Sequence, residues 1–339
     1  MKQNERDMSG FFGFVLVGSG NISTTYLSAI GKVAGAEVVA LVSRSGHRPQ
    51  GIEDGVPVVT SLSEVTADYQ GVILCTPNGT HCEGACEAAA LGKHVLTEKV
   101  LEITRERMDK MIAACDAANV NLGVSYQRRM SPGNVATKRL LDDGSLGRIF
   151  AADMRVKFYR DMDYYNSATY RGGYSIDGGG PFIQQAAHNV DIFAWFFGLP
   201  DTVVSMLDTF RHDIEVEDHG VALMRYGNGM IGTITASTAS KPGFAPVLEI
   251  HGVNGSLVLV NDEITGWNVD GVANPVVNTD YEVHDGSASA AVTDTAGHEA
   301  IISDFITAAR ENRAPAVTAS SAKLATDLIL QIYESNVSR

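Results

Sequence analysis

A short apolar run near the start of the chain leads directly into a glycine turn. Phe14-Val15-Leu16-Val17 has no polar position, which is typical of a strand buried on both faces of a parallel sheet. Gly18-Ser19-Gly20 follows, and a helical pattern begins at Asn21. A strand, a glycine turn and a helix in this order start a doubly wound sheet, in which ligands bind at the carboxyl ends of the strands. The sequence therefore predicts an α/β fold.

Strand and helix signals alternate through the first 126 residues, which is typical of α/β domains. After Tyr126 the pattern changes to longer strand-like segments, separated by turns such as Asn254-Gly255 that favour antiparallel hairpins. We therefore predict two domains. Residues 1–126 form a Rossmann dinucleotide-binding domain, and residues 127–339 form an α+β domain with a mostly antiparallel open sheet for substrate binding and oligomerisation.

Composition limits the classes of partner. The formal net charge of −14 argues against a nucleic-acid partner and against docking on an anionic membrane, because both require a basic face. No apolar run approaches the ~18 residues of a transmembrane helix, so we expect a cytoplasmic protein with a small organic substrate. Cys82 and Cys86 share a helical face near His81 but lack the thiolate spacing of structural zinc sites, so no metal is expected.

The glycine turn is the predicted pyrophosphate site. Gly18 suits the dihedral angles of the tight turn, and Gly20 lets the backbone approach a pyrophosphate that faces the helix amides. Ser23 replaces the usual third glycine and is still small enough for close packing of helix on strand. The expected contacts with the pyrophosphate are Gly18, Ser19, Gly20, Asn21 and Ile22.

The end of the second strand bears on the choice of cofactor. An acid that holds the adenosine ribose is usual about twenty residues after the glycines. Here the chain reads Val42-Ser43-Arg44-Ser45 instead. Since Ser43 and Arg44 suit a ribose 2′-phosphate, the sequence favours NADP over NAD. The alternative is that Arg44 is a solvated loop charge and that NAD is the cofactor.

Two further turns follow predicted strands of the same sheet. In Thr76-Pro77-Asn78, the Asn78 side chain either bonds the cofactor or caps the following helix, which carries His81. Glu98-Lys99 follows the next strand, where the Lys99 ammonium can bind the reacting oxygen and stabilise developing charge. The remaining expected cofactor contacts are Thr76, Pro77, Asn78, His81, Glu98, Lys99 and Gln127.

The segment from Asp177 to Asp191 is the strongest signal in the second half. A triple glycine precedes Pro181, which suits the first turn of a helix. In that helix Gln184, His188 and Asp191 share one face, because they are four and three residues apart. The glycines let the backbone approach a ligand, and an imidazole with a pKa near ~6.5 suits proton transfer. A core histidine on an apolar stripe is the alternative interpretation of His188.

Residues 158–174 are rich in tyrosine and arginine. Amphipathic aromatic rings and bidentate donors are typical of a sugar site, although a loop at a domain interface has the same composition. The expected substrate contacts are Tyr159 and Arg171, together with Lys99, Gln184 and His188.

Taken in order, these motifs resemble the Gfo/Idh/MocA oxidoreductase family over nearly the whole chain. The resemblance rests on Gly18-Ser19-Gly20, Thr76-Pro77-Asn78-x-x-His81, Gly92-Lys93-His94-Val95 leading to Glu98-Lys99, and Gly178-Gly179-Gly180 followed by His188-x-x-Asp191. It implies a Rossmann domain, a C-terminal domain with an open sheet, a nicotinamide cofactor and a sugar or polyol substrate. It also implies that Lys99 and His188 lie at the reacting carbon.

Two departures from the family pattern concern the catalytic residues. Val100 follows Glu98-Lys99 where the family usually has proline, and Gln184 stands where many members have aspartate or asparagine. A glutamine forms hydrogen bonds but cannot act as a carboxylate base. The catalytic candidates are therefore Lys99, His188 and Gln184.

These interpretations predict an NAD(P)-dependent dehydrogenase or reductase that acts on CH–OH groups of a sugar, polyol or sugar derivative. His188 exchanges the hydroxyl proton, Lys99 polarises the oxygen, and Gln184 with residues 158–174 binds other hydroxyls. The alternatives are an NAD-dependent glycosidase of the same fold and a non-enzymatic dinucleotide-sensing regulator. A homodimer or homotetramer is expected, since the open sheet offers a face for association.

Overall fold

The structure, a computed structural model, describes residues 10–276, 287 and 294–337. Its first sheet has six parallel strands in the order β3-β2-β1-β4-β5-β6. Each strand is short, and the central ones are fully buried, as their continuous apolar sequences predict. The strands are β1 (Phe12–Val17), β2 (Ala36–Val42), β3 (Val58–Val59), β4 (Gly71–Leu74), β5 (His94–Thr97) and β6 (Leu122–Val124).

Helices connect these strands as in other doubly wound folds. They are α1 (Asn21–Ile30), α2 (His81–Ala90) and α3 (Arg105–Ala117), with single 3₁₀ turns at Leu62–Glu64, Asn78–Thr80 and Gln127–Met130. The Thr104 side chain accepts a hydrogen bond from the Arg107 amide at 3.3 Å and so caps α3. The alternation predicts this layout, and the Rossmann-type fold is confirmed.

The second sheet has seven strands in the order β13-β12-β11-β7-β10-β9-β8. Within it β7 and β10 pair in parallel, while its other neighbouring strands pair antiparallel, so the mostly antiparallel prediction is confirmed. The strands are β7 (Ile149–Lys157), β8 (Thr202–Asp208), β9 (His219–Arg225), β10 (Ile231–Ser237), β11 (Val247–Gly252), β12 (Gly255–Val260) and β13 (Glu263–Val269).

The described residues of the second half form five helices, α4 (Pro132–Asp142), α5 (Met162–Asn166), α6 (Ala187–Phe197), α7 (Ala296–Arg310) and α8 (Ala319–Glu334). The helix α6 covers one face of the second sheet with its apolar residues, among them Val190 and Phe193. In contrast, α7 inserts Ile302 and Phe305 into the core of the first sheet. The division at residue 126 separates the two sheets along the chain and stays a prediction as a domain boundary.

The helix predicted to begin at Pro181 begins six residues later, so that prediction is wrong. Residues 181–185 form successive turns, in which the Gln184 amide donates to Gly180 O at 3.0 Å. Gly180, directly before these turns, packs closely on the second half of the chain, since a Cβ atom there would lie 2.0 Å from Glu217 O. None of the helices in the described ranges combines the length and apolar character that crossing a bilayer requires.

Candidate active site

One large cleft runs along the carboxyl ends of the first sheet and continues against loops of the second half. Its volume is about 1570 Å³. That exceeds the ~300–1,000 Å³ of a site for one drug-sized ligand, so the cleft has room for a dinucleotide and a second molecule. The predicted site residues that line it are Gly18, Ser19, Gly20, Asn21, Ile22, Ser43, Arg44, Thr76, Pro77, Asn78, Glu98, Lys99, Gln127, Arg171, Gln184 and His188.

The glycine turn has the geometry that a pyrophosphate site needs. Gly18 has a φ of 107°, and a Cβ atom there would lie 2.7 Å from Cys75 O, so only glycine fits. At Gly20 a Cβ atom would meet nothing within 4 Å, which leaves open space beside the first turn of α1. Ser23 is buried and its hydroxyl donates to Gly18 O at 2.8 Å. These residues fit a dinucleotide.

The end of β2 presents polar groups but no acid to the cleft. The Ser43 hydroxyl lies 2.9 Å from the Ser19 hydroxyl, which joins it to the glycine turn. Arg44 is exposed at the cleft and has no partner among the described residues. Of residues 42–62, the ones that line the cleft include no aspartate or glutamate.

Asn78 and His81 are held by the protein itself. The Asn78 side chain donates to Asp177 O at 3.1 Å and caps no helix, so the capping interpretation is wrong. His81 is buried and does not line the cleft. Its Nε2 lies 2.9 Å from Thr76 O and its Nδ1 lies 2.9 Å from Val100 O. The assignment of His81 to the cofactor is therefore corrected. Helix α2 begins at His81 and directs the ring between two turns, which the ring joins.

Glu98 is a buried carboxylate at the floor of the cleft. The Tyr26 hydroxyl donates to its Oε1 at 2.7 Å, and His298 Nε2 lies 3.8 Å from the same oxygen. Burial raises the pKa of Glu98, but the hydrogen bond and charge of His298, with the charge of Lys99, bring the pKa below its usual value. Glu98 therefore stays ionised beside Lys99.

Lys99 extends from the end of β5 towards the second half of the chain. Its Nζ donates to Gln184 O at 3.1 Å, and the Lys99–Val100 peptide bond is cis. Burial lowers the pKa of Lys99, the charges of Glu98 and Asp177 oppose that shift, and the net pKa lies below its usual value. A half-buried ammonium with a lowered pKa is suited to polarise an oxygen atom.

His188 lies on the first turn of α6 and lines the same cleft as Lys99. Its ring packs edge-on against Tyr126 with centroids 5.8 Å apart. The Nδ1 atom is buried and has no hydrogen-bond partner among the described residues. Burial, and then the charge of Lys99, hold the pKa of His188 well below 6.5. The ring is therefore neutral at neutral pH and can accept a proton.

His188 and Asp191 lie three residues apart within α6, as predicted, whereas Gln184 lies in a turn before that helix. The Gln184 side chain donates to Asp177 O at 2.8 Å. Asp191 is buried outside the lining of the cleft and forms a bidentate ion pair with Arg129 at 2.6 and 2.8 Å. The prediction of one helix face is therefore wrong for Gln184, because ordinary helical spacing does not apply across the turn.

Tyr159 and Arg171 differ in their position relative to the cleft. Arg171 lines the cleft, and its Nη1 donates to the Tyr164 hydroxyl at 2.7 Å. Tyr159 does not line the cleft, and the expected substrate contact is therefore corrected. Because side chains alternate along extended backbone, Phe158 and Arg160 line the cleft while Tyr159 lies on the other side, near Arg211.

The structure adds cleft residues that the sequence reasoning did not select. Arg128 follows Gln127, whose Oε1 is buried and has no partner in the described part of the chain. His298 comes from α7, two hundred residues after Glu98 along the chain. Asp177 and Gln185 belong to the glycine-rich segment that the sequence analysis singled out, but no local pattern marks the other residues. The added residues are Arg128, Asp177, Gln185, Asp262 and His298. In the described ranges, no group of three histidine, cysteine or acidic side chains is placed to hold a metal ion.

Comparison with known proteins follows the two halves of the fold. A family model described as an oxidoreductase family with an NAD-binding Rossmann fold matches residues 12–126. A second, the GFO/IDH/MocA C-terminal domain, matches residues 135–258. The chain belongs to the Gfo/Idh/MocA oxidoreductase family. The resemblance drawn from the motifs is confirmed, and the Gfo/Idh/MocA fold explains why both sheets contribute to one cleft.

Curated relatives in this family are dehydrogenases and reductases. Levoglucosan dehydrogenase from Pseudarthrobacter phenanthrenivorans is 27% identical over 217 residues, which cover 56% of this chain and 55% of that protein. The chain thus aligns with little more than half of that relative's length. The 1,5-anhydro-D-fructose reductase from Ensifer adhaerens is 28% identical over 255 residues, covering 72% of this chain and 74% of the reductase.

A solved structure resembles the chain over nearly its full length. The WlbA dehydrogenase from Bordetella pertussis, in complex with NADH and UDP-GlcNAcA, aligns with a TM-score of 0.80 and 27% identity. The alignment covers 96% of each chain. The fold, with the Rossmann unit first and the antiparallel sheet second, is therefore shared between the two proteins.

Proposed function

We propose that this Gfo/Idh/MocA protein is an NAD(P)-dependent dehydrogenase or reductase that acts on a CH–OH group of a sugar, polyol or sugar derivative. The observation that carries the proposal is the presence of Lys99, from the first sheet, and His188, from α6, in one cleft with the glycine turn. The levoglucosan dehydrogenase and anhydrofructose reductase names support a carbohydrate-like substrate. When bound, the nicotinamide supplies or accepts the hydride.

The protein's own residues position the substrate and move its proton. Lys99 donates to the reacting oxygen and stabilises its developing negative charge. His188 accepts the hydroxyl proton in oxidation and returns it in reduction, because burial and the charge of Lys99 keep its ring neutral and able to accept. Gln184 fixes Lys99 through its main-chain oxygen at 3.1 Å and is a positioning residue in this scheme.

NADP is the proposed cofactor, with NAD as the alternative. Arg44 is exposed at the cleft without a partner in the described part of the chain, and Ser43 lies beside the glycine turn. Both groups suit the 2′-phosphate of NADP, which an acidic residue at this place would repel.

Turnover with a tightly held NAD and no net change of cofactor would instead favour the glycosidase alternative.

We also propose a cytoplasmic homo-oligomer, a dimer or a tetramer, that associates through the open face of the second sheet. Exposed apolar side chains lie next to each other there, because Val204 pairs with Leu223 and Met206 with Val221 on neighbouring strands. A contiguous apolar patch of this kind marks an association surface.

The test combines nucleotide binding with turnover. Melting temperatures are measured with NADP, NADPH, NAD and NADH, and sugar oxidation is followed by absorbance of the reduced nicotinamide. We expect stabilisation by the nucleotides, and we expect Lys99→Met to lower kcat by about 10²–10³ while nucleotide stabilisation remains. Lys110→Met, at an exposed position of α3 outside the cleft, is the matched control. Absence of stabilisation by every nucleotide, or full turnover by Lys99→Met, would contradict the proposal.

A further inference from the structure

The part of the cleft around Lys99 carries a cluster of positive charge in a chain whose net charge is −14. We call it the basic cluster, and it consists of Lys99, Arg128, Arg160 and Arg171, all of which line the cleft. The carboxylates that line the same region are Glu98, Asp177 and Asp262. Buried cations are costly unless they are paired, so the partners of each one decide what the cluster can bind.

Two of these carboxylates already have partners. Asp262 Oδ2 lies 3.6 Å from Arg128 Nη1. Glu98 accepts from Tyr26 and faces His298 at 3.8 Å. Asp177 interacts electrostatically with both Lys99 and Arg171. Burial raises the pKa of Asp177 above its usual value, and a hydrogen bond from the Gly172 amide and the charges of Arg171 and Lys99 oppose that shift. Glu98 also faces Lys99, so these two cations share two carboxylates.

Arg171 keeps an N–H donor that has no acceptor within the described part of the chain. Its Nη1 donates to the Tyr164 hydroxyl at 2.7 Å, and its guanidinium carbon lies 4.4 Å from the centre of the Tyr164 ring. Its Nε is buried and has no acceptor among the described residues. No ion pair of Arg171 occurs in those ranges either. Stacking on Tyr164 holds the guanidinium plane in place, which prepares it to bind a planar or tetrahedral anion through two donors.

Arg160 is a second cation near this position, since its guanidinium carbon lies 5.6 Å from the centre of the same Tyr164 ring. Arg160 donates to Tyr159 O at 2.7 Å and to Ser287 O at 3.3 Å. Arg171 and Arg160 both lower the pKa of Lys99, which shows that their charges are felt at its ammonium. The Tyr164 hydroxyl is also bonded by Gln185 Nε2 at 2.9 Å, so it is held from two sides.

We propose that the substrate is an acidic sugar derivative whose carboxylate or phosphate binds Arg171, while its reacting hydroxyl lies at Lys99 and His188. This inference rests on the proposed function, because the anion belongs to the same substrate. A hydroxyl of a neutral polyol can also accept a hydrogen bond from Arg171, but a carboxylate or phosphate adds the bidentate, charge-assisted bonding that a guanidinium favours. An anion therefore gains more from Arg171 than a neutral hydroxyl does.

The test compares matched pairs of sugars on the nucleotide-bound enzyme. The probes are D-glucose with D-glucuronate, D-galactose with D-galacturonate, and D-glucose 6-phosphate, each measured by kcat/KM and by the shift in melting temperature. We expect at least one acid to exceed its neutral partner about tenfold or more, as charge-assisted hydrogen bonds allow. The uronates and the sugar phosphate separate a carboxylate from a phosphate as the anion that is bound.

Variants link that preference to one residue. Arg171→Gln is expected to lower kcat/KM for the acid about tenfold more than it lowers kcat/KM for the neutral partner. Arg171→Lys keeps the charge, loses the planar fork and serves if the glutamine variant does not fold. Arg139→Gln, at an exposed position of α4 outside the cleft, is the control and keeps the preference.

The outcomes separate the inference from the proposed function. Stabilisation by NADP or NAD with equal or better response to the neutral sugars, or with no response to any acid, overturns the inference and leaves the proposed function standing. An equal loss for acid and neutral sugars in Arg171→Gln also overturns it. No stabilisation by any nucleotide overturns the proposed function instead.

Discussion

At the residue scale, Arg44 is the residue on which the proposed cofactor preference depends. Its neighbour Arg48 gives a useful contrast, because Arg48 donates to Val56 O at 3.1 Å and to Glu53 O at 2.8 Å and does not line the cleft. Two arginines four residues apart thus have different surroundings. One is held by its own loop, and the other has its donors available at the cleft.

We expect Arg44→Ala to weaken NADP binding by roughly ten- to a hundredfold, since a charge-assisted bond to phosphate is worth ~1.5–3 kcal/mol. Binding of NAD should change less than twofold, because it lacks the 2′-phosphate. Fluorescence titration with each reduced nucleotide measures both affinities. Arg48→Ala is the control and should leave both unchanged. A wild-type protein that binds NAD more tightly than NADP would contradict the Ser43-Arg44 interpretation.

The proposed catalytic pair, Lys99 and His188, shows how one environment changes the pKa of two side chains. Burial lowers the pKa of both Lys99 and His188, since both are cationic when protonated. The charge of Lys99 lowers the pKa of His188 further. Proximity of the two groups therefore favours a neutral imidazole beside a charged ammonium, which is the state that the proposed oxidation requires.

At the scale of elements, the triple glycine positions the loop before α6 by packing against protein. A Cβ atom at Gly179 would lie 2.3 Å from the Tyr333 hydroxyl, and one at Gly180 would lie 2.0 Å from Glu217 O. The Glu217 carboxylate accepts from the Gly180 amide at 3.1 Å and from the Tyr333 hydroxyl at 3.0 Å. The glycines are thus required for contact with α8 and Glu217, whereas the sequence alone suggested approach to a ligand.

Glu217 predicts how stability depends on pH. Burial raises the pKa of Glu217 from 4.5 to about 7. Because the pKa of Glu217 is raised in the folded state, its protonated side chain contributes to the unfolding free energy, and that contribution is fully present below about pH 4.5. The contribution is lost as the pH rises through 7. A shift of this size corresponds to about 3 kcal/mol of unfolding free energy.

We therefore expect Glu217→Gln to flatten the decline in unfolding free energy between pH 5 and 8, compared with the wild type. Urea denaturation at a series of pH values gives this slope directly. Glu215→Gln, at an exposed carboxylate two residues earlier, should retain the wild-type slope. Identical slopes in Glu217→Gln and the wild type would show that the buried carboxylate does not titrate in this range.

At the scale of the whole molecule, the second sheet has one covered face and one open face. Helix α6 covers the first, and the open face exposes 69% of Met206 and 51% of Leu223. These side chains alternate with buried ones along β8 and β9, as one face of an antiparallel sheet requires. The apolar character of this face is the observation that supports the proposed self-association.

We expect Met206→Glu to dissociate the oligomer into monomers at micromolar concentration, because it buries a charge at the proposed interface. Light scattering coupled to size exclusion measures the mass of both proteins. Leu91→Glu, at an exposed apolar position outside this sheet, should leave the mass unchanged. A wild type that is monomeric under the same conditions would contradict the proposed association.

Local sequence was sufficient to predict the sheets and most of the residues that line the cleft. Continuous apolar runs, glycine turns and hairpin turns predict these elements, because the geometry of each element depends on residues that are close together in the sequence. Gly18 and Gly20 have the expected surroundings. The turns after the strands also predicted that Thr76 and Lys99 would lie at one edge, since parallel strands end on the same side.

Only the tertiary structure determined which polar side chains form hydrogen bonds within the protein and which keep their donors available at the cleft. His81 and Asn78 are satisfied by carbonyl groups up to 99 residues away, and Tyr159 lies on the outer side of its segment. Arg171, in contrast, retains an unpartnered buried Nε in the described ranges. The physical reason is that desolvation and pairing depend on the total surroundings of a group, and those surroundings come from segments that are far apart along the chain.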